Sequence, residues 1–235
     1  MCSSDLPADC GTWLEFGLAL EFTGETEQAM AAYREALRQC PDLHPARARL
    51  GGLIAATGDL EGGGRLLDEV LNSDPGLTDS VAEAMNKAGL RRRSAGDAKG
   101  AIALLRRAQG LSPANLKHGA ALGEALEDAG DRGGALAEYR AVVAGAPESP
   151  HCCERIDVIY QGRKDGPGRL AEWRRIVEMH PDAAWPRLHL GLALEDSGDL
   201  EGAKAAYREA LSHNARVEID SGLFRSISES ETGLP

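Results

Sequence analysis

Residues 188–211 read LHLGLALEDSGDLEGAKAAYREAL, and they contain the pattern that repeats through the chain. Gly191 lies near the start of this stretch, a Gly-Asp pair occupies 198–199, and Tyr207 lies among alanines toward the end. Apolar residues on both sides of the Gly-Asp pair recur every three or four positions, as they do in amphipathic helices. The order therefore predicts a helix, a tight turn and a second helix.

The turn glycine recurs along the chain at intervals of 34 residues or twice that, with one exception. Prolines that follow the second helices keep the same interval. In both series one interval is 38, which places a four-residue insertion around residues 78–81. Two independent residue classes share the period, so the sequence predicts a tandem array of helical hairpins. The glycines are Gly24, Gly58, Gly96, Gly130 and Gly198, and the prolines are Pro41, Pro75, Pro113, Pro147 and Pro181.

Two kinds of glycine position explain how each hairpin is built. Gly191 and its equivalents lie inside the first helices, where we expect the paired helix to cross too closely for a side chain. Gly198 and its equivalents end the first helix in the left-handed conformation, and an aspartate after most of them can cap the second helix. The predicted helices are 11–23, 26–39, 45–57, 60–73, 79–95, 98–111, 115–129, 132–145, 150–163, 167–179, 184–197 and 200–213.

A hairpin of this length and pattern resembles the tetratricopeptide repeat, in which W-x2-L-G-x2-Y is followed by A-x3-F, A and P. The first repeat matches at Trp13, Gly17, Ala29 and Tyr33, and all others except the fifth keep most of the equivalent residues. The resemblance covers about residues 10–217. It implies an all-α fold, a right-handed superhelical solenoid of helix-turn-helix repeats, and we expect a bacterial source.

The 34-residue period sets the domain boundaries. The fifth repeat departs most from the family pattern, because Asp157 replaces the family's glycine and Arg169 replaces its alanine. Residues 1–6 resemble a translated sequencing adaptor, so the N-terminal segment 1–9 is expected to be artefactual and outside the fold. Residues 218–235 are expected to form a C-terminal cap and a disordered tail. The six predicted repeats are 10–43, 44–77, 82–115, 116–149, 150–183 and 184–217.

Composition narrows the function classes. The net charge of −11 disfavours nucleic acid and anionic membranes as partners, and no apolar run approaches a membrane span. No motif of a hydrolase, a nucleotide-binding enzyme or a metalloprotease is present, so we predict neither an enzyme nor a cofactor. His151, Cys152 and Cys153 are adjacent, and adjacent helical side chains point about 100° apart, which disfavours a shared metal ion. We therefore expect no metal site and interpret these three as loop or surface residues.

The five cysteines show no C-x-x-C spacing, and their number is odd. We interpret them as reduced thiols in a reducing compartment, which predicts a cytoplasmic location.

In tetratricopeptide repeats the first helix of each pair lines a concave groove, and the resemblance implies a peptide-binding groove here. The Lys/Asn clamp of chaperone-type relatives is not carried over, because Leu14, Leu18 and Ala48 stand at the positions it would need. The candidate groove residues are Leu14, Leu18, Asn86, Leu90, Arg93, Glu124, Glu127, Trp185, Leu188 and Leu192.

Charge along the repeats leaves two interpretations open. The third repeat carries seven basic and two acidic residues, whereas the fourth carries three basic and six acidic residues. These are either solvated faces with weak ion pairs or a basic patch that receives an acidic peptide.

The resulting prediction is a non-catalytic scaffold that binds a protein or peptide in the groove. The alternative is the repeat region of a larger enzyme of the glycosyltransferase or sulfotransferase type. Self-association through the terminal repeats is a third reading.

Overall fold

The computed structural model describes residues 9–214, and every regular element in that range is helical. Each helix begins and ends within one residue of its predicted position, and the all-α repeat solenoid expected from the sequence is confirmed. The expected cap and tail at 218–235, and most of the segment 1–9, lie outside the described residues. The helices are α1 (Cys10–Thr23), α2 (Thr26–Gln39), α3 (His44–Thr57), α4 (Leu60–Ser73), α5 (Thr78–Ser94), α6 (Ala98–Leu111), α7 (Leu116–Asp128), α8 (Arg132–Gly145), α9 (Pro150–Arg163), α10 (Gly166–Met179), α11 (Ala184–Asp196) and α12 (Leu200–His213).

The described residues form two compact units, which divide after Gly130. In the first unit α1 packs on α2, α3 on α4 and α5 on α6, and successive hairpins are joined by contacts of α2 with α3 and of α3 with α5. In the second unit α9 packs on α8, α10 and α11, and α11 packs on α12. No helix among the described residues is long and apolar enough to cross a membrane.

Close helix crossings are made at the glycines predicted for that role. A Cβ added at Gly17 would lie 2.4 Å from Cε1 of Tyr33, and one added at Gly191 would lie 2.3 Å from the same atom of Tyr207. Both tyrosines are fully buried, so the ring of the second helix takes the space that a side chain on the first helix would fill.

The insertion predicted around residues 78–81 lengthens a helix without breaking the array. A 3-10 turn at Pro75–Leu77 leads into α5, which has 17 residues where α3 has 14. Asp74 accepts a hydrogen bond from the backbone N–H of Gly76 at 3.0 Å and so holds the turn in place. The extra residues thus become one more turn at the start of α5.

Most turns between paired helices have the predicted geometry. Gly24 and Gly198 have φ angles of 84° and 85°, in the left-handed region. Lys164 takes that conformation in the fifth repeat, with φ of 56°. Gly58 differs, with φ of 150°, and there Arg92 caps α3 by donating from Nε to the carbonyl of Ala55 at 2.5 Å and from Nη2 to that of Gly58 at 2.9 Å.

Aspartates cap the second helices, as predicted. Asp59, Asp97, Asp131 and Asp199 each accept a hydrogen bond from the backbone N–H three residues later, at 2.7 to 3.0 Å. Asp165 does the same for α10, accepting from Gly168 at 2.9 Å. An N-terminal cap of this kind stabilises a helix by about 1 kcal/mol.

The interpretation of the cysteines as reduced thiols is wrong for two of them. Cys10 opens α1 and Cys40 follows α2, and the hairpin brings their Cα atoms to 6.0 Å, where they form a disulfide. Intervals along the sequence did not reveal this, because the two residues meet only when the hairpin closes. The disulfide removes the ground on which a cytoplasmic location was predicted.

The placement of Cys152 and Cys153 at the surface is also wrong. Proline 150 starts α9, so both cysteines lie in its first turn, with side chains 1% and 0% exposed. Burial raises the pKa of the Cys153 thiol, whose sulfur lies 3.7 Å from the carbonyl oxygen of Pro147. His151 is exposed, and its ring meets that of Tyr139 edge to face at 6.3 Å. Among the described residues no cluster of metal-ligating side chains is found.

Candidate interaction surface

The first helices of the first unit, α1, α3, α5 and α7, form what we call the first-helix face. Glu21, at the end of α1, connects three of its helices. Its carboxylate accepts a hydrogen bond from the Tyr33 hydroxyl at 3.0 Å and lies 3.8 Å from Nη1 of Arg49 on α3 and 3.4 Å from Nη2 of Arg91 on α5. Side chains of three successive hairpins therefore meet on one surface.

Small residues form the floor between these charged side chains. A Cβ added at Gly52 would lie 3.2 Å from the Cβ of Ala84, so α3 and α5 approach closely at this point. Ala84 and Ala88 are only 7% and 1% exposed, so the crevice that they line with Lys87 and Arg91 is nearly filled. Small residues thus let α3 and α5 pack closely beneath the basic side chains.

Arg93 continues the surface from α5 to α7. Its Nε donates to Oδ2 of Asp128 at 2.6 Å, and its Nη1 pairs with Glu124. Partial burial opposes the charge of Arg93, but the two carboxylates outweigh that effect and raise its pKa. The basic third repeat is thus neutralised in part by the acidic fourth, which gives the weak ion pairs considered from the sequence.

The predicted groove residues of the first unit fall into two groups. Asn86 is only 7% exposed and its Oδ1 has no hydrogen-bond partner, so its side chain faces the helices that pack against α5. The others are half-buried, with part of their surface open to solvent. These are Leu14, Leu18, Leu90, Arg93, Glu124 and Glu127.

In the second unit, α11 carries the three remaining candidates. Trp185 and Leu192 are half-buried and pack against the core that α11 forms with α12. Leu188 lies in that core with no exposed surface. Its place among the groove residues stays a prediction, and in this packing its side chain faces inward.

A buried polar cluster in the second unit was not foreseen. Asp157 of α9 accepts hydrogen bonds from Nε and Nη2 of Arg169 at 2.8 and 2.6 Å, and from Nε1 of Trp173 at 2.5 Å. Nδ1 of His189 lies 2.8 Å from the same carboxylate, and its ring stacks on Trp173 with centroids 4.9 Å apart. The two departures from the family pattern, at 157 and 169, are thus partners of each other.

The charge state of the cluster follows from these contacts. Burial favours the neutral form of Asp157, but hydrogen bonds from His189 and Arg169 outweigh that effect and lower its pKa. Arg169 also pairs with Asp196, at the exposed end of α11. The signal in the sequence was present, since an acid and a base replaced two small residues on paired helices 12 positions apart.

A second ionic cluster lies nearby on α8, α9 and α10. Arg140 donates from Nη2 to the hydroxyl of Tyr160 and to Oε2 of Glu172, both at 2.5 Å. Glu172 is buried, which opposes its charge, but hydrogen bonds from Arg175 and Arg140 lower its pKa. The Arg140–Glu172 pair thus joins α8 of the fourth repeat to α10 of the fifth.

Comparison with known proteins identifies the repeats. Residues 11–53 and residues 187–215 each match a family model described as tetratricopeptide repeat. These two stretches are tetratricopeptide repeats. The matched stretches are the first hairpin with the start of α3, and the last hairpin, where the residues quoted for the resemblance follow the family pattern most fully.

A relative extends the similarity to a longer protein. Cellulose synthase 2 operon protein C of Komagataeibacter xylinus is 35% identical over 105 residues, which is 45% of this chain. The match spans only 8% of that protein's length.

Solved structures similar to this chain are distant in sequence. PilF of Pseudomonas aeruginosa is 15% identical, with 94% of this chain and 97% of that one covered and a TM-score of 0.49. YrrB, described as a TPR protein with an unusual peptide-binding site, is 16% identical, with 86% and 98% covered and a TM-score of 0.46. MamA is 16% identical, with 90% and 98% covered and a TM-score of 0.45.

Proposed function

We propose that this chain is a non-catalytic scaffold that binds peptide segments or partner domains on the first helices of its repeats. The observation that carries the proposal is the continuity of the first-helix face, where Glu21, Arg49 and Arg91 join three hairpins and Arg93 reaches a fourth helix. A repeat array offers such an extended surface because each hairpin adds one helix to it. We propose the six repeats given above as the units of this array, the last of which ends outside the described residues.

Half-buried apolar residues would supply the binding energy. Leu14, Leu18 and Leu90 serve in the first unit, and Trp185 and Leu192 serve in the second. Desolvated aromatic and aliphatic anchors dominate the energy of most interfaces. Glu124, Glu127 and Arg93 would set register and association rate more than affinity. Asn86 and Leu188 support these residues from beneath.

The proposal is tested with a peptide selected against the whole chain from a random library and measured by calorimetry. Trp185→Ala should weaken binding by about 2 kcal/mol, because it removes an anchor that keeps exposed surface. Arg93→Ala should cost less, since Glu124 and Asp128 already engage its guanidinium, and its effect should shrink as salt rises. Met179→Ala removes an exposed apolar side chain from α10, a second helix, and serves as the control.

One outcome would contradict the assignment of the first helices as the binding surface. If Trp185→Ala and Arg93→Ala both leave the affinity unchanged while the helical circular dichroism persists, the first helices are not the binding surface. Arg106 and Arg107 on α6 are then the next residues to test, because both are exposed.

The alternative, the repeat region of a larger glycosyltransferase or sulfotransferase, draws support from the much greater length of the relative. The full-length reading frame decides between the two, since a catalytic domain encoded beside the repeats would favour the alternative. Self-association is measured by light scattering, where a mass well above 24.9 kDa would show it.

A further inference from the structure

A cavity of about 540 Å³ lies within the second unit, at the end of the fifth and sixth repeats where their paired helices turn. We call it the turn-edge cavity. It is lined by the end of α9, the start of α10 and the end of α11, whereas the predicted groove residues Trp185, Leu188 and Leu192 do not line it. Small-molecule sites are clefts of roughly 300 to 1,000 Å³, so this cavity has room for a small organic ligand.

The interior of the turn-edge cavity is mostly apolar. Pro167 and the half-buried Leu170 line it from α10. Ala193 of α11 and Tyr160 of α9, which are 4% and 6% exposed, close it from beneath. The Tyr160 hydroxyl donates to Oε2 of the buried Glu172 at 3.2 Å and is therefore already engaged. A ligand thus meets hydrocarbon inside the cavity and finds its charged contacts at the mouth.

A cation stands at the mouth, in a backbone conformation that is unfavourable for lysine. Lys164 follows α9 in the left-handed region, with φ of 56°, whereas the five other repeats have glycine at this turn. That conformation costs stability in any residue with a Cβ, and strain of this kind is typical of functional sites. Lys164 is exposed and forms no ion pair with the residues that the structure describes. The turn therefore holds an unpaired ammonium group at the entrance.

A carboxylate with spare capacity also lines the mouth. The side chain of Asp196 is 66% exposed, and its Oδ2 pairs with Nη1 of Arg169. Arg169 is also bound by the buried Asp157, so one guanidinium serves two carboxylates and leaves Asp196 partly uncompensated. Asp165 lines the mouth as well, but its Oδ1 caps α10 by accepting from Gly168 at 2.9 Å. The mouth therefore presents both signs of charge above an apolar interior.

We infer that the turn-edge cavity binds a small zwitterion with an apolar body, such as a free amino acid with an aromatic or large aliphatic side chain. The body packs on Pro167 and Leu170. The carboxylate of the ligand pairs with Lys164, and its ammonium group pairs with Asp196. An internal residue of a peptide carries neither charge, and a peptide terminus carries one, so the cavity favours the free amino acid. The inference goes beyond the proposed scaffold function, because the ligand and the surface both differ.

The probe is L-phenylalanine, titrated into the whole chain at low salt and followed by the backbone amide shifts in NMR spectra. The analogue 3-phenylpropionate keeps the ring and the carboxylate, and phenethylamine keeps the ring and the ammonium group. Because each analogue lacks one charge contact, phenylalanine should bind about fivefold more tightly than either of them. The shifts should concentrate at residues 160–170 and 193–197, the segments that line the cavity.

Two substitutions at the mouth should affect different ligands. Lys164→Gly removes the cation and should weaken phenylalanine and 3-phenylpropionate about fivefold, with phenethylamine unaffected or tighter. Asp196→Asn should weaken phenylalanine and phenethylamine by a similar factor and spare 3-phenylpropionate. Arg174→Gln removes an exposed cation of α10 that does not line the cavity, and it should change each affinity less than twofold.

Stability measurements separate binding from folding. Lys164→Gly restores the turn residue of the other repeats, so its urea midpoint should equal or exceed that of the wild type even though it binds phenylalanine more weakly. Asp196→Asn should stay folded, because Asp157 still pairs with Arg169.

Four results would overturn the inference. They are equal affinities for phenylalanine and its two analogues, an unchanged phenylalanine affinity in Lys164→Gly, an equal loss in Arg174→Gln, and amide shifts that are absent or confined to residues outside the two lining segments. Each of them is independent of the scaffold proposal, which is tested by selected peptides at the first helices.

Discussion

At the scale of single residues, the fifth repeat replaces small side chains with a charge cluster. Asp157 and Arg169 occupy the positions where other repeats have glycine and alanine, and both are buried. A buried ion pair contributes little net stability, but removing one partner leaves an uncompensated charge. The two residues therefore depend on each other.

Substitutions at these positions should be strongly non-additive. Asp157→Gly leaves Arg169, Trp173 and His189 without their shared acceptor and should cost about 3 to 5 kcal/mol of unfolding free energy. Asp157→Gly combined with Arg169→Ala restores the family pattern and should cost less than Asp157→Gly alone. Urea unfolding followed by tryptophan fluorescence measures both. A double variant as unstable as the sum of the single ones would contradict the account.

The same cluster predicts how the second unit responds to acid. The pKa values of Asp157 and Glu172 are lowered in the folded chain, so their stabilising effect is complete above the unfolded values of about 4. It is lost as pH falls through the lower folded values. The urea midpoint of the wild type should therefore fall more steeply between about pH 4 and pH 2 than that of the Asp157→Gly, Arg169→Ala variant. Parallel curves would show that the cluster does not govern the acid response.

Contacts between single side chains were the least predictable feature. The 34-residue period shows that residues 157 and 169 differ from the repeat pattern, but not that they pair, since pairing depends on side-chain rotamers. The period also did not predict the disulfide between Cys10 and Cys40, because it depends on how the two helix ends meet. The complete burial of Leu188 was also not predicted, since α11 packs on two sides and its apolar residues do not mark one face.

At the scale of helices, the crossing glycines explain why the hairpins pack as they do. Helix bounds were predictable because turn glycines, capping aspartates and prolines each mark an end by local chemistry. The crossings were predictable because glycine inside a helix is costly unless a partner needs the space.

A pair of glycine substitutions separates packing from propensity. Gly191→Ala forces a methyl group into the ring of Tyr207 and should destabilise the second unit by about 1 to 3 kcal/mol. Gly110→Ala in α6 meets no atom within 4 Å and should stabilise the chain by up to about 1 kcal/mol through helix propensity. Urea midpoints test both. Equal shifts in one direction would mean that the crossing geometry is wrong.

The disulfide ties the two ends of the first hairpin. Cys10 and Cys40 are 30 residues apart, and closing a loop of that length stabilises a fold by about 3 to 4 kcal/mol in the chain-entropy model. A reductant should therefore lower the unfolding midpoint of the first unit, read from amide exchange in α1 and α2. The Cys10→Ser, Cys40→Ser variant should start from the lower midpoint and show no further response. A wild type indifferent to the reductant would contradict a disulfide that supports the hairpin.

At the scale of the whole chain, the array has a surface that single hairpins lack. Bridging contacts of Glu21 and Arg93 make α1, α3, α5 and α7 one face in the first unit. The family resemblance predicted that first helices carry the binding surface, but it could not say which side chains remain exposed there. Arg49, Lys87 and Arg91 emerged only from the structure, since the sequence directed attention to Asn86, Leu90 and Arg93.

Partners that bind along the first helices should slow amide exchange in those helices, because bound backbone exchanges more slowly. Hydrogen–deuterium exchange of the whole chain, with and without a selected peptide, measures this. We expect new protection concentrated in α1, α3, α5 and α7 of the first unit, or in α9 and α11 of the second. Protection confined to the second helices, α2, α4, α6, α8, α10 and α12, in the presence of a saturating peptide would contradict it.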